Sequence, residues 1–563
     1  MTKLFNSTPF KIILAVVLGA AVFVNLVQGM YLDENGLLTL YRGIYQGERV
    51  FVDSWSEYNM AGVLMYPIFA LYYQVLEPSL TSIGVGMVLY TRIVYMILRL
   101  LIAVYLYFTL KKTEFEEGAF YTALFYFLFI VGWRNFSYKS ICDFGLILLI
   151  CFIFRYCQHN HGFYFVLMGI ASCICILAYP TMIILPFAFV IGGLILSYQG
   201  YEMIKNLTIY GITCLVCGAL YLVYMQFTCG ILQGINSFML FLNSSNDYDD
   251  SFVVRLGMMV LSYVVTAAIA YFPVVCIELY KKFRAMSEVA AEVILGVYWI
   301  AFMVAVCVVK VDSISYSRYI YGILILFWWF PYFAREAKSS YTVVGSYKQA
   351  DISATLVCWV VFAITCVSQG VWAISTNQDI TVPGHMAYYI VLAMIAMLIS
   401  NEQYHHLVTG LFLAEIFFTC IWMPDKNGGF HHVFEQRFYV TEGALQGVAL
   451  SQEDYDKNQQ VMELMNDYVT PEDKLLVTFA FNSTAYLNTD AIMATGSPYT
   501  RPQIDTQLLS FWESNPDYVA NLVLIDKGID KYQELLESEC GQYLLSEYAN
   551  EVATNGDFVL LSK

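Results

Sequence analysis

Charge is what this sequence has least of. Asp, Glu, Lys and Arg make up 13% of its 563 residues, against roughly 25% in an ordinary soluble domain. Cations are the scarcer sign, 29 against 45 acids, and the formal net charge of −16 excludes a general nucleic-acid binder, whose electrostatic footprint is basic. Paired cysteines are missing as well. Thirteen of the 14 Cys lie in or beside apolar runs and Cys540 stands alone near the C-terminus, so no disulfide framework can form in that region. Cys173 and Cys175 fall inside an apolar helix, where a thiol acts as a small hydrophobe. No glycine-rich phosphate loop occurs, and no small-residue cleavage pattern precedes Tyr31, which excludes a signal peptide as the reading of the first apolar run.

What the chain has instead is apolar surface. Apolar residues reach 59% and the mean hydropathy is +0.60. Runs long enough for a span, which needs about 20 apolar residues, recur along the chain. They cover Lys11–Met30, then about 84–110, 118–132, 141–156, 163–178, 180–198, 207–228, 253–279, 289–309, 318–334, 354–374, 384–400 and 405–422. The expected fold is a polytopic α-helical membrane protein of about 13 transmembrane helices, over residues 1–423.

Lys and Arg orient it. With the N-terminus cytoplasmic, the inner segments hold Lys111, Lys112, Arg155, Lys205, Lys281, Lys282, Arg284, Arg335, Lys338 and Lys348. The outer ones hold fewer: Arg42, Arg49, Arg134, Lys139, Arg255, Lys310 and Arg318. The positive-inside rule then puts the first loop, 31–83, and the C-terminal region outside a plasma membrane crossed many times. From about Pro424 the composition turns soluble, and about half of all acids fall there. An amphipathic helix near 453–468, strands near 474–480 and 518–525, a helix near 530–549 and a strand at 558–561 read as a small exterior α/β domain, 424–563.

The first loop, YLDENGLLTLYRGIYQGERVFVDSWSEYNMAGVLMYP over Tyr31–Pro67, is where chemistry is expected. A carboxylate just outside a span can act as general base toward a hydroxyl, and burial beside lipid tunes its pKa. Asp33 is the first candidate, Glu34 the second and Asp53 the third. The structural alternative has Asp33 or Asn35 merely capping a helix that starts at Gly36, with Leu37, Leu38, Leu40 and Tyr41 on the membrane surface. Trp55, Tyr58 and Tyr66 are the loop aromatics placed to contact a substrate. Arg92 and Arg99, seven apart on one helical face, both need partners, because an Arg in the bilayer is costly. A buried ion pair is the structural reading for each, and likewise for Asp143.

The acidic pair after the first span, the GERVFVDSW segment and the aromatic helix ending YPIFALYY resemble the first exterior loop of the GT-C glycosyltransferases. The likeness is greatest to the branch of the protein O-mannosyltransferases and the lipid A aminoarabinose transferase. Asp33, Gly47, Asp53, Trp55 and Pro67 fill that loop's places, Arg92 matches an arginine near the outer end of the second span, and Arg318 with Tyr319 matches an Arg-Tyr pair opening a late one. The resemblance implies a GT-C-like fold and transfer of a sugar from a polyprenyl-phosphate-linked donor to an acceptor hydroxyl on a lipid, glycan or protein, with inversion. Asp33 would be the base. Fixed cations would hold the departing phosphate, with Arg318 and Lys310 first, then Arg92, Arg134 and Lys139, and Tyr319 would touch sugar or acceptor.

Other clusters are weaker. Neither His431 with His432 nor His405 with His406 has an acid-rich ligand set on its own side, and the acids Asp247, Asp249 and Asp250 read as solvated surface, so no metal site is assigned and no cofactor is firmly expected, a divalent cation staying open. Membrane lipids are the other expected partner, and nucleic acid is not one. A transporter or flippase of envelope precursors would instead show inverted repeats and broken helices, and no duplication is evident. A non-catalytic GT-C-like scaffold, with Asp33 only a cap, is the other alternative.

Overall fold

The computed structural model of the chain describes residues 7–56, 58–77, 84–130, 134–198, 203–244, 252–308, 318–340, 354–375, 384–400, 410, 414, 436–479, 482–499 and 507–563. The membrane part runs α1 (Thr8–Leu26), α2 (Leu32–Gln46), α3 (Gly62–Leu71), α4 (Met87–Leu110), α5 (Glu116–Leu128), α6 (Tyr138–His159), α7 (Phe163–Ala178), α8 (Ile184–Tyr198), α9 (Ile204–Thr228), α10 (Ile231–Ser244), α11 (Phe252–Phe283), α12 (Glu288–Val308), α13 (Arg318–Ser340), α14 (Ala354–Ser375) and α15 (Tyr388–Ile399). Among the described residues, nine stretches are long and apolar enough to cross a membrane, with shorter apolar helices beside them. The chain is a multi-pass membrane protein. Most expected spans match helices closely, the run 405–422 lies outside the described residues apart from 410 and 414, and α10 is an additional apolar helix that no run announced.

Residues 59–76 also pass that length and hydropathy test, although the sequence reading keeps all of 31–83 on one side. Contacts at the ends of the neighbouring spans favour a path along the surface. Ala449 N–H donates to the Val27 carbonyl at the end of α1 (2.7 Å), and Val88 N–H at the start of α4 donates to the Ala444 carbonyl (3.1 Å). Both spans therefore meet the same C-terminal segment. The α3 region lies between them: Tyr72 Oη donates to the Val85 carbonyl (2.8 Å) and Tyr90 Oη to that of Ile68 (3.0 Å). A segment that starts and ends against the same faces runs across them.

Local chemistry sets the helix ends. Ser137 and Ser140 form a capping box that opens α6, and Gly47, at φ 105°, closes α2 in the left-handed region. Deep in the bundle, Arg99 of α4 pairs with Asp143 of α6 at 2.7 Å, both side chains fully buried. Arg99 also donates to the carbonyls of Tyr126, Phe127 and Phe129, which the end of α5 leaves without helical partners. Tyr388 and Tyr389 of α15 donate to Asp143. One ion pair thus joins four helices, as the structural reading of both residues held.

The C-terminal module pairs β1 (Phe438–Tyr439) with β2 (Ala449–Leu450), then runs α16 (Gln452–Tyr468), β3 (Lys474–Val477), α17 (Thr484–Leu487), β4 (Ile492–Met493), α18 (Gln507–Ser514), β5 (Leu522–Asp526), α19 (Tyr532–Glu537), α20 (Glu539–Glu547), β6 (Asn550–Asn555) and β7 (Phe558–Ser562). The main sheet has the order β4-β3-β5-β7-β6, with β3 parallel to both neighbours and β7 antiparallel to β5 and β6. The expected single helix over 530–549 is broken at Ser538, whose side chain accepts from Gly541 N–H (2.9 Å) and so caps a new helix. One hydrophobic core continues from the spans into this module, joining Leu26, Met87 and Val88 to Leu445, Leu487 and Leu475.

Asp143→Leu is expected to lower the thermal midpoint in detergent strongly, since an unpaired buried Arg99 costs on the order of 3–5 kcal/mol. The double variant Arg99→Met with Asp143→Leu should regain part of the loss. A single variant as stable as wild type would refute the assignment.

Candidate active site

The two acids of the first loop have different surroundings. Glu34 is fully buried. Its Oε1 accepts from Arg92 Nε (2.7 Å) and Asn135 Nδ2 (2.7 Å), and its Oε2 accepts from Arg92 Nη2 (2.6 Å). The rest of that guanidinium donates to the carbonyls of Leu26, Gln28 and Gly29. Arg92, expected among the phosphate cations, is instead spent on Glu34 and on the chain leaving α1. Glu34 is spent in return and is not placed to act as a base. A bidentate pair of this kind is strong and directional.

Asp33 lies in the first turn of α2, which begins at Leu32 with Tyr31 as N-cap and no side-chain cap bond. This corrects the capping alternative: neither Asp33 nor Asn35 is the cap, and the helix does not start at Gly36. Leu37, Leu38, Leu40 and Tyr41 are wholly buried, not laid on a membrane surface, because α3 and the C-terminal module cover them. Asp33 is half-buried, and its carbonyl accepts from Tyr499 Oη of the module at 2.7 Å. The Tyr499 ring lies so close to α2 that a Cβ at Gly36 would stand 2.7 Å from Cζ. A side chain at position 36 would have to displace that ring.

Asp53 is buried, and Arg49 holds it with Nε on Oδ2 (2.8 Å), Nη2 on Oδ1 (2.6 Å) and its own backbone N–H on Oδ2 (2.8 Å). The expected third catalytic acid therefore closes the turn after Gly47. Trp55 is 2% exposed, donates its backbone N–H to the Gly496 carbonyl and sets its ring edge-on to Phe511 at 5.4 Å. It is an anchor for the C-terminal module and has no face left for a sugar. Tyr66 is half-exposed and tilts against Tyr45 at 5.1 Å.

Tyr58 does join a constellation. Its ring stacks on Tyr138 at 4.2 Å, Tyr138 on Tyr179 at 5.6 Å, and Tyr179 on Trp372 at 4.4 Å and 10°. This aromatic wall joins the first loop to α6, to the α7–α8 turn and to α14. Lys139 Nζ lies 5.6 Å from the Tyr138 ring, and His385 meets Trp372 edge-on at 5.2 Å. Asn135, bonded to Glu34, is three residues before Tyr138, so the wall and the acid pair share the start of α6. Arg134, also at that start, donates to Tyr31 Oη (3.2 Å) and the Asn25 carbonyl (3.4 Å). Lys310 and the side chains of Arg318 and Tyr319 lie outside the described residues, as do His405, His406, His431, His432, Asp247, Asp249 and Asp250. Among the described residues, no three His, Cys, Asp or Glu side chains gather as metal ligands. An apolar cavity of about 340 Å³ between α6, α7, α8 and α14 is a different place: its lining on α6 starts at Ile153, roughly 22 Å along the helix from Tyr138 at 1.5 Å per residue.

Sequence reasoning missed Trp372 and His385, which carry no local signal, and Glu48. The turn at Gly47 folds Glu48 back over α2, where a Cβ at Gly43 would stand 2.3 Å from its Oε2. That oxygen is sealed from solvent with no hydrogen-bond partner among the described residues. Burial first, and then the charge of Asp53, push the Glu48 carboxyl up from 4.5 to about 8, against an opposing pull from Arg42. Arg42 is itself buried and donates to the Thr489 carbonyl at 3.1 Å.

No family model and no curated protein matches the chain. Among solved structures it is similar to the crystal structure of ArnT from Cupriavidus metallidurans in the apo state, at 13% identity and a TM-score of 0.44, over 98% of this chain and 97% of that one.

The Glu48 shift makes stability depend on pH. Its folded pKa is raised, so the folded state holds a proton that the unfolded state releases above 4.5; stability falls as pH rises through that point and stops falling above about 8. Glu48→Gln removes this loss. The variant's thermal midpoint in detergent should exceed wild type increasingly from pH 5 to about pH 8 and by a constant margin above that, and parallel curves throughout would show the carboxyl to be ordinary.

Proposed function

We propose that the protein is a membrane glycosyltransferase that moves a sugar from a polyprenyl-phosphate donor to an acceptor hydroxyl, on the face where the first loop meets the C-terminal module. The observation that carries this reading is the division of labour between Glu34 and Asp33. Glu34 is consumed by Arg92 and Asn135. Asp33, one residue earlier on the same helical turn, is thereby held in a fixed place by a neighbour that cannot do its work. The resemblance of the first loop to that of GT-C enzymes supports the same assignment.

In this reading Asp33 takes the proton of the acceptor hydroxyl as its oxygen attacks the anomeric carbon. The bond from that carbon to the phosphate oxygen breaks, polyprenyl phosphate leaves, and the configuration inverts. General-base help of this kind is worth about 10²–10⁴-fold. Lys139, with Lys310 and Arg318, supplies positive charge to the departing phosphate. The aromatic wall beside Lys139 keeps water away, so that the charge acts at full strength. The distribution of Lys and Arg supports an outward-facing site, with the N-terminus in the cytoplasm and the module outside. The acceptor is a lipid, glycan or protein hydroxyl that reaches the loop beneath Tyr499.

The test is transfer of radiolabelled sugar from polyprenyl-phosphate donors in membranes carrying wild type or Asp33→Asn at matched protein levels. Asn preserves shape but cannot take the proton, so transfer should drop at least about 100-fold. Equal transfer by both would keep the enzyme and remove the base; no transfer by wild type from any donor would favour the transporter or scaffold.

A further inference from the structure

The cavity between α6, α7, α8 and α14 is long and narrow. Its lining runs from Leu185 to Leu196 on α8 and from Leu356 to Val367 on α14, roughly 16 Å along each helix. The two helices are pinned together beside the aromatic wall, where Tyr179, just before α8, stacks on Trp372 of α14 and shares a hydrogen bond with Ser375 (2.5 Å). Away from that pin the cavity lies between them. Its lining is alkyl and aromatic apart from sulfur and the Tyr156 hydroxyl, which already accepts from Asn206 Nδ2 (2.9 Å). Water needs two to four polar partners to settle in such a place, and a void left unfilled forfeits the contacts of its walls. A cavity of about 150 Å³ takes benzene. One of about 340 Å³ holds hydrocarbon of roughly twice that size, and its length suits a chain rather than a ring.

The opening faces lipid. Gly192 and Ile195 of α8, with Trp359 and Ala363 of α14, line the cavity and are also exposed. Next to them on α8, itself long and apolar enough to cross a membrane with the turn before it, Phe187, Ile191 and Leu194 are exposed as well. A Cβ at Gly192 would meet nothing within 4 Å, so the glycine leaves a gap in the wall. That gap is about 9 Å from the end of α8 at Tyr198. It therefore opens in the half of the roughly 30 Å hydrocarbon core that is remote from the aromatic wall.

We infer that the cavity binds one acyl chain of a phospholipid from the leaflet remote from the aromatic wall, the chain entering between Gly192 of α8 and Ala363 of α14. A lipid with its headgroup at the near surface reaches this opening with its upper methylenes. The polyprenyl donor of the proposed reaction presents its phosphate at the other surface. The acyl chain supplies the packing that α8 and α14 lack beyond their pin at Tyr179 and Trp372. This inference rests on the multi-pass fold and is independent of the glycosyltransferase reading.

The experiment places the full-length protein in phosphatidylglycerol vesicles in which a small fraction of the lipid carries a diazirine midway along one acyl chain, and maps the residues labelled on illumination. Phe165 and Met168 line the cavity on α7 and are each 1% exposed, so lipid that merely surrounds the protein does not reach them. Wild type should be labelled there. Gly192→Leu fills the opening without a clash and should lower that label about tenfold, the worth of two displaced methylenes. Ala363→Leu should do the same from the facing helix. Gly218→Leu, at an exposed place on α9 where a Cβ also meets nothing within 4 Å, should leave the label unchanged. No label at Phe165 or Met168 in wild type, equal label in the Gly192 variant, or an equal loss in the Gly218 variant overturns the assignment. So does stronger label there from a polyprenyl phosphate carrying the same diazirine. Sugar transfer is not part of the readout, so failure here leaves the glycosyltransferase reading standing.

Discussion

The ion pair between Glu34 and Arg92 is the constraint on which the first loop depends. It brings together the end of α1, the first turn of α2, the start of α4 and the approach to α6, and it does so where little water competes. Desolvating both partners is expensive, and such a pair is retained only when its hydrogen bonds are complete. Here they are: Arg92 satisfies three backbone carbonyls that leave α1 without helical partners, and Glu34 takes Asn135 as well. The orientation of α2 follows, and with it the position of Asp33.

Around that anchor the chain gathers groups from distant segments on one face. The wall of Tyr58, Tyr138, Tyr179 and Trp372 ties loop to spans by ring contacts. The C-terminal module closes from the other side through Tyr499 on α2 and through Gly496 and Phe511 on Trp55. Aromatic residues expected to meet a substrate are divided by this arrangement: Trp55 became part of the joint, Tyr58 part of the wall, and Tyr66 stayed half-exposed. The same module sits over both Asp33 and the Glu48 turn, so its seating and the exposure of the acids are a single property.

Much of this was legible beforehand where the physics is local. Apolar runs and their punctuation located most spans, since crossing a membrane requires internally satisfied helices. The need of a buried charge for a partner foretold that Arg99 and Asp143 would each sit in a buried ion pair, though not that they would pair with one another, and the adjacency of two acids after a span singled out the loop. That Glu34 would be held by Arg92 and Asn135 was not legible, because those residues lie 58 and 101 residues away. Asp53 looked catalytic for the same reason that it is structural: an acid in a tight turn, with Arg49 four residues before it. Strands β4 and β6 were missed because they are short or polar edge strands, whose residues carry no alternation to read.

The sequence by itself determined a multi-spanning chain with a soluble C-terminal region and an acid-bearing first loop, because hydropathy and turn chemistry act over a few residues and need no partner to be recognised. Only the tertiary structure decided that Glu34 is spent on Arg92, which aromatics face one another, and that Tyr138, Trp372 and His385 are neighbours. Those facts are set by packing between distant segments, where burial removes water and a hydrogen bond decides whether a charged group is spent on holding the fold together.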